Sequence, residues 1–456
     1  MYVEFDKKSG KPLYIQLYEA ILEDITTGKL HNGVKLPARR TLSEELNISQ
    51  NTVDGAYKML LDTGYIISIP RQGYVVSFKS SAYDNLMPWE ITAPETVVFS
   101  PNGTDTSYIN RTAYAKILRD IVYNDGYDIF SYVDKGGEFV LRSEISKYLY
   151  SFHNIKSSPD RIIVGASAEY LLSSLAAIFF KETVFIMENP CDNHFYRTLT
   201  SYGKSVATLP TDKDEFDMDA LYSSSGKILF IEPDARFPRS LALSDAERQE
   251  ILDWASQSDD RYIIENCCDT EIQWNKNKSL YNLDKNNKVI YLGSFSRSFS
   301  PAVQTSYMIL PPELLALWKK HHAYYYSLVS KTEQYALAEF IKKGYFTKHY
   351  KNMRRIYKDK RKYLTDCFTE AFGDKIKICG GAGSTYITAE LEGMNAEEIK
   401  LLARQNGVKL LSENSYNVKK DTSPMKNDKL VIGFGDLQRE KIKLGIHLLK
   451  DSLNYI

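Results

Sequence analysis

Between Ser294 and Pro301 the chain reads Ser294-Phe295-Ser296-Arg297-Ser298-Phe299-Ser300-Pro301, four hydroxyls around one cation. Such a set holds a phosphate or carboxylate when backbone N–H groups at a turn add their donors. The apolar run 288–292 ahead of it reads as a buried strand, and Gly293 breaks it. A second set lies near the N-terminus. Ser49 is followed by Gln50, Asn51 and Thr52, side chains able to read base edges in a major groove. Arg39 and Arg40 precede them where a helix start meets backbone phosphates, and Arg71-Gln72-Gly73 follows at a turn that reaches a minor groove.

Each set needs a scaffold. Residues 1–78 give helical spacing at Ile15, Tyr18, Leu22 and Ile25, then a short helix bearing Leu42 and Leu46, a stop at Asn47, and a third helix capped by Ser49. Val53, Ala56, Tyr57 and Leu60 line one side of that helix, with Tyr57 also expected among the DNA-binding residues beside Ser49, Gln50, Asn51 and Thr52, and two β-prone runs around residues 70–73 make a hairpin. This order is that of a winged helix-turn-helix. Residues 79–96 lose periodicity and read as a linker.

Further on, apolar, β-branched runs at 161–164, 183–187, 205–209, 227–232, 261–265, 288–292 and 306–310 alternate with helical stretches. Seven strands with crossovers predict an α/β sandwich around a mostly parallel sheet. Ligands bind such sheets beyond the carboxyl ends of the strands. Those ends carry Gly165-Ala166-Ser167, Asn189-Pro190, Pro233, Asn266 and the Ser294 stretch, so one pocket is expected. The large domain spans 97–374, and 375–456 reads as a small α+β domain.

A chain of 456 residues is too long for one small core. Its 43% apolar and 25% charged residues fit a soluble globular protein rather than a membrane one. No window is apolar enough to span a bilayer, and no signal-peptide core is present. Five cysteines without CxxC spacing exclude a disulfide framework or structural zinc, so a reduced, cytoplasmic protein is expected. The N-terminal segment balances acids and bases, so binding to double-stranded DNA calls for a homodimer on two half-sites.

The N-terminal segment resembles the DNA-binding domain of the GntR regulators. The matching residues are Pro12-Leu13-Tyr14-Ile15-Gln16-Leu17, Gly28-Lys29-Leu30, Lys35-Leu36-Pro37-Ala38-Arg39-Arg40-Thr41-Leu42, Leu46 through Val53, Ala56 through Leu60, and Gly64-Tyr65-Ile66. Gln50 stands where that family has a DNA-contacting arginine, which implies altered specificity. The remainder resembles a fold-type I aminotransferase through Leu141-Arg142, the 159–164 segment, Glu188-Asn189-Pro190, the 291–296 stretch, Glu333-Gln334, His349, Met353-Arg354 and Gly433-Phe434. Together the halves resemble the MocR subfamily. The resemblance implies promoter DNA as partner and a body that holds pyridoxal phosphate as a sensor.

That resemblance also marks losses. Arg297 occupies the position of the Schiff-base lysine, and a guanidinium with a pKa above about 12 is no neutral nucleophile. Asn266 replaces the acid at the pyridine nitrogen, although Asp269 would supply one in a shifted register. Cys268 replaces a tyrosine, and Gln304 an arginine near the phosphate. The expectation is a transcription regulator without a covalent cofactor, its body dimerising and sensing a small anionic metabolite. Ser167, Ser294, Ser296 and Arg297 would hold that anion or a non-covalent pyridoxal phosphate. The alternatives are a ligand-free scaffold, a pyridoxal phosphate-responsive regulator, and an aminotransferase-type enzyme using Lys276 or Lys319.

Overall fold

The computed structural model describes residue 5 and residues 10–26, 29–31, 33–69, 73–77, 97–123, 128–211, 213–272, 278–322, 324–380, 384–418 and 428–453. Two compact units divide the chain, 1–92 and 93–456. The linker expected at 79–96, the wing-tip residues Arg71 and Gln72, and Lys276 lie outside the described residues.

The N-terminal unit holds α1 (Leu13–Thr26), α2 (Arg39–Leu46), α3 (Gln50–Asp62) and the antiparallel pair β1 (Ile66–Ile69) and β2 (Gly73–Val76). Leu17, Ile21, Ile25, Leu42, Val53, Ala56, Leu60 and Val76 close its core. The turn between α2 and α3 forms because Asn47 takes a left-handed φ of 52° and ends α2. Ser49 then caps α3, its hydroxyl accepting the Thr52 N–H at 3.1 Å.

The second unit opens with β3 (Val97–Val98), α4 (Arg111–Tyr123), α5 (Phe139–His153), β4 (Ile162–Gly165), α6 (Ala168–Ile178), β5 (Val184–Asn189), α7 (Asn193–Ser201) and β6 (Ser205–Pro210). It continues with α8 (Met218–Ser223), β7 (Ile228–Ile231), α9 (Asp245–Ser256), β8 (Tyr262–Asn266), α10 (Leu280–Leu283), β9 (Val289–Ser294) and β10 (Ser306–Ile309). Three helices follow: α11 (Pro312–His321), α12 (Lys331–Lys342) and α13 (Tyr345–Phe372). Last come β11 (Ile376–Cys379), β12 (Tyr386–Leu391), α14 (Ala396–Gln405), β13 (Val408–Lys409), β14 (Leu411–Ser412), β15 (Leu430–Gly433) and α15 (Arg439–Leu453).

All seven expected strands form one sheet in the order β4-β10-β9-β8-β7-β5-β6. Only β10 runs antiparallel, to both β4 and β9. The strands are apolar along their length because helices cover both faces. Among the described residues the C-terminal sheet is β11-β12-β15-β14, backed by α14 and α15. The domain division needs one adjustment. Val97 and Phe99 pack in the core of that small sheet, and β3 pairs parallel with β13, so the first residues assigned to the large domain belong to the small one.

Candidate nucleic-acid interface and ligand pocket

On the N-terminal unit, the start of α3 carries Gln50 and Asn51, both exposed. Among the described residues neither side chain has a hydrogen-bond partner, so both amides are free to read a base edge. The hydroxyls of Ser49 and Thr52 lie 2.8 Å apart and support the cap. Arg39 meets Asp54 at 3.0 Å and leans over the Tyr74 ring, while Arg40 meets Glu44 at 3.0 Å. Exposed pairs of this kind contribute about 0–1 kcal/mol, so a phosphate can replace the carboxylate. Gly73 begins β2 at φ 94°, a left-handed value that favours glycine, and is exposed.

Tyr57, expected at the DNA surface, is not there. It is 1% exposed, and its hydroxyl donates to the Pro37 carbonyl at 2.9 Å. Burial pushes its phenol pKa up, so it stays neutral. Its place at the eighth position of α3 puts it on the same face as Val53 and Leu60, against the core. Tyr57 ties α3 to the segment before α2 from within the core.

In the second unit, a cavity of about 270 Å³ opens at the carboxyl ends of the central strands. Ser167, Asn266, Cys268, Ser294, Ser296 and Arg297 line it as expected. Gly165, Ala166 and Gln304 do not. At the end of β4, a Cβ on Gly165 would run into Leu171 and Tyr170, so this glycine lets α6 approach the sheet. Ala166 packs on the apolar cluster behind β4, and Gln304 is exposed in a left-handed turn at φ 42°.

The anion site expected in this cavity is largely occupied by the protein's own contacts. Arg297 Nε meets Asp269 Oδ1 at 2.9 Å, and Nη2 meets Asp269 Oδ2 at 3.0 Å. The same guanidinium donates to Asn102 Oδ1, the Pro101 carbonyl and Thr385 Oγ1. Burial alone would lower its pKa, but Asp269 and the surrounding carboxylates raise it, so Arg297 is permanently charged. It acts as a clasp joining the 101–102 loop, the exit of β8 and the start of β12. Ser167 caps α6 through the Tyr170 N–H at 3.1 Å. Ser294 Oγ accepts from Ser296 N at 3.1 Å and from Ser306 Oγ at 2.9 Å.

What the sequence reading missed is the negative charge. Glu169, Asp192, Glu232 and Asp234 line the cavity together with Asp269. Asp234 pairs at 2.6 Å with Arg248, which is fully buried. Asn266 Nδ2 donates to Glu232 Oε1 at 2.7 Å. Burial pushes Glu232 up to about 8, with Asp269 and Asp192 adding to it. Asp192 is raised as well, again chiefly by burial. Glu232 follows an apolar strand and Asp192 follows Pro190-Cys191, and neither stands out in its own segment.

These residues do not fit pyridoxal phosphate. No lysine lines the cavity among the described residues, and Arg297 is charged and bound. Asn266 offers the pyridine nitrogen an amide already turned to Glu232, not an acid. At the phosphate end, Glu169 puts a carboxylate in the first turn of α6, where a dianion would need donors.

Comparison with known proteins agrees with the two-part architecture. Residues 13–76 match the family of bacterial regulatory proteins, gntR family, and residues 105–431 match aminotransferase class I and II. The chain is 30% identical to the HTH-type transcriptional regulator YdeL of Bacillus subtilis over 96% of both chains. It is 24% identical to the probable rhizopine catabolism regulatory protein MocR of Rhizobium meliloti, over 98% of this chain and 95% of that one. A Pyrococcus horikoshii kynurenine aminotransferase shares the fold at a TM-score of 0.71, with 18% identity over 83% of this chain and 95% of that one. The chain therefore belongs to the MocR subfamily of GntR-type regulators, a gntR-family head joined to a body of the aminotransferase class I and II family.

Proposed function

We propose that the protein is a dimeric, DNA-binding transcription regulator whose aminotransferase-like body senses a small molecule and performs no pyridoxal-dependent catalysis. The observation that carries the regulatory half is the exposed, unpartnered Gln50–Asn51 pair opening α3 of a gntR-type head. Arg297, bound through Nε and Nη2 to Asp269, carries the denial of catalysis. The enzyme alternative has little support, since Lys319 is exposed on α11 and does not line the cavity.

Dimerisation is supported by apolar surface on the body. Phe130, Tyr132, Tyr324, Tyr325 and Leu328 are all more than half exposed, and Tyr132 stacks on Tyr326 at 5.1 Å. Aromatic surface of this kind is a feature of association faces. Promoter DNA as partner supports a cytoplasmic location; among the described residues no helix is long and apolar enough to cross a membrane.

Three measurements test the proposal. The full-length protein should retard a duplex from its own upstream region at low salt, and should elute at twice the chain mass. Incubation with pyridoxal phosphate and borohydride should leave no specific adduct on any lysine. A specific reduced adduct mapped to any lysine would restore the enzyme reading, and failure to retard any duplex would end the regulatory one.

A further inference from the structure

We propose that the body's cavity binds a small organic cation, an ammonium or guanidinium group on a short aliphatic stem, seated among Glu169, Asp192 and Glu232. This deepens the sensor half of the function proposed above and rests on it. The mismatch with pyridoxal phosphate is where it starts: the cavity stands where the fold family binds a phosphate, yet its charge has the opposite sign.

Of the five carboxylates that line the cavity, two are matched. Asp269 is held by Arg297 and Asp234 by Arg248. Glu169, Asp192 and Glu232 have no ion-pair partner among the described residues. Each comes from a different element: Glu169 from the first turn of α6, Asp192 from the turn after β5, Glu232 from the end of β7. Glu232 accepts one bond, from Asn266, and Asp192 accepts one, from the His194 N–H at 2.9 Å. Acceptor capacity therefore remains on all three side chains, facing a common space. An ammonium offers three donors and no acceptor, the complement of that set.

A bare metal ion is a poorer fit, because no group of three or more acidic, histidine or cysteine side chains among the described residues is close enough to hold one. The spread of the carboxylates calls for a larger cation. Ala168, Phe195, Ala235, Cys268 and Pro301 complete the wall and suit an aliphatic stem.

Proton linkage gives the site a signature. Facing Glu232 are Asn266 at the end of β8 with Cys268 and Asp269 beyond it, Cys191 and Asp192 beyond β5, Arg297 beyond β9 and Tyr386 on β12. With a pKa of about 8, Glu232 carries a proton at neutral pH, and an entering cation displaces it. Binding therefore releases a proton near pH 7 and tightens as pH rises through about 8.

The test is calorimetric titration of the full-length protein with putrescine and agmatine as cations, and with inorganic phosphate and pyridoxal phosphate as anions. Saturable binding of a cation is expected, with heats that depend on the buffer's ionisation enthalpy. Glu232→Gln should weaken it about tenfold or more and remove the buffer dependence. Should that variant fail to fold, Glu169→Gln serves, with the same loss of affinity expected. Binding of the anions in preference to the cations overturns the proposal, as does binding of no probe, or diamine affinity untouched by either variant. Cation binding by protein that retards no duplex would instead defeat the regulatory reading and leave this site standing.

Discussion

In the head, the side chains that face outward are cheap to redirect. Arg39 and Arg40 are tied only by surface ion pairs, and Gln50 and Asn51 by nothing among the described residues. The body's Arg297 is the reverse case: its side chain is 20% exposed and bound to three segments at once. Both regions follow a known family pattern with one substitution at the key position, Gln50 in the head and Arg297 in the body. The first leaves an exposed amide at the start of α3, where the proposed DNA reading places the base contacts. The second puts a charged guanidinium, bonded to Asp269, at the position on which the proposed absence of catalysis rests. A replaced residue is informative only once its partners are known.

The contrast can be broken by measuring stability and function separately. Arg297→Ala should have the largest effect on folding, since it leaves Asp269 without its cation and unties the 101–102 loop from β12. About 2–4 kcal/mol of stability should disappear in a denaturant titration. By comparison, Gln50→Ala should change stability by no more than about 0.5 kcal/mol. Arg297→Lys should remain without a borohydride-reducible adduct, because Glu169 and Asn266 stay in place; a clear adduct would show the cavity nearly intact.

Glu232→Gln should raise stability by about 1–3 kcal/mol at about pH 9 and much less at about pH 5. The folded-state pKa is raised from 4.5 to about 8, so the wild type is favoured at low pH and loses stability as pH rises through about 8. Thermal melts across that range give the sign directly. Tyr57→Phe should cost about 1 kcal/mol by removing the bond to Pro37, with DNA affinity per folded molecule unchanged. A specific loss of affinity would return Tyr57 to the DNA surface. Smallest in stability is Arg40→Ala, about 0.5 kcal/mol or less, while the salt dependence of DNA binding should flatten by about one counterion.

How much of this was legible follows from the range of each signal. The seven strands were readable to within about two residues because a sheet covered on both faces needs continuous apolar runs. The α2–α3 turn was readable from Asn47 and Ser49, whose preferences act over one or two residues. Tyr57 was misplaced although its spacing already sets it on the face of Val53 and Leu60; its 1% exposure and the 2.9 Å bond to Pro37 put it in the core. The cavity's charge was hidden for another reason. Glu169, Asp192, Glu232 and Asp269 are each unremarkable in their own segment, and the crossovers of the sheet alone bring them together. The pairing of β3 with β13 was likewise beyond any local pattern, being two residues long on each side.

The most direct test of the account is fluorescence anisotropy of a labelled duplex from the protein's own upstream region. Wild type and the double variant Gln50→Ala/Asn51→Ala would be titrated at one fixed salt concentration, beside a scrambled duplex. The account predicts saturable wild-type binding. The variant should lose about 1–3 kcal/mol per amide, falling toward the scrambled level while melting at the wild-type temperature. Equal binding of both proteins to both duplexes would contradict it.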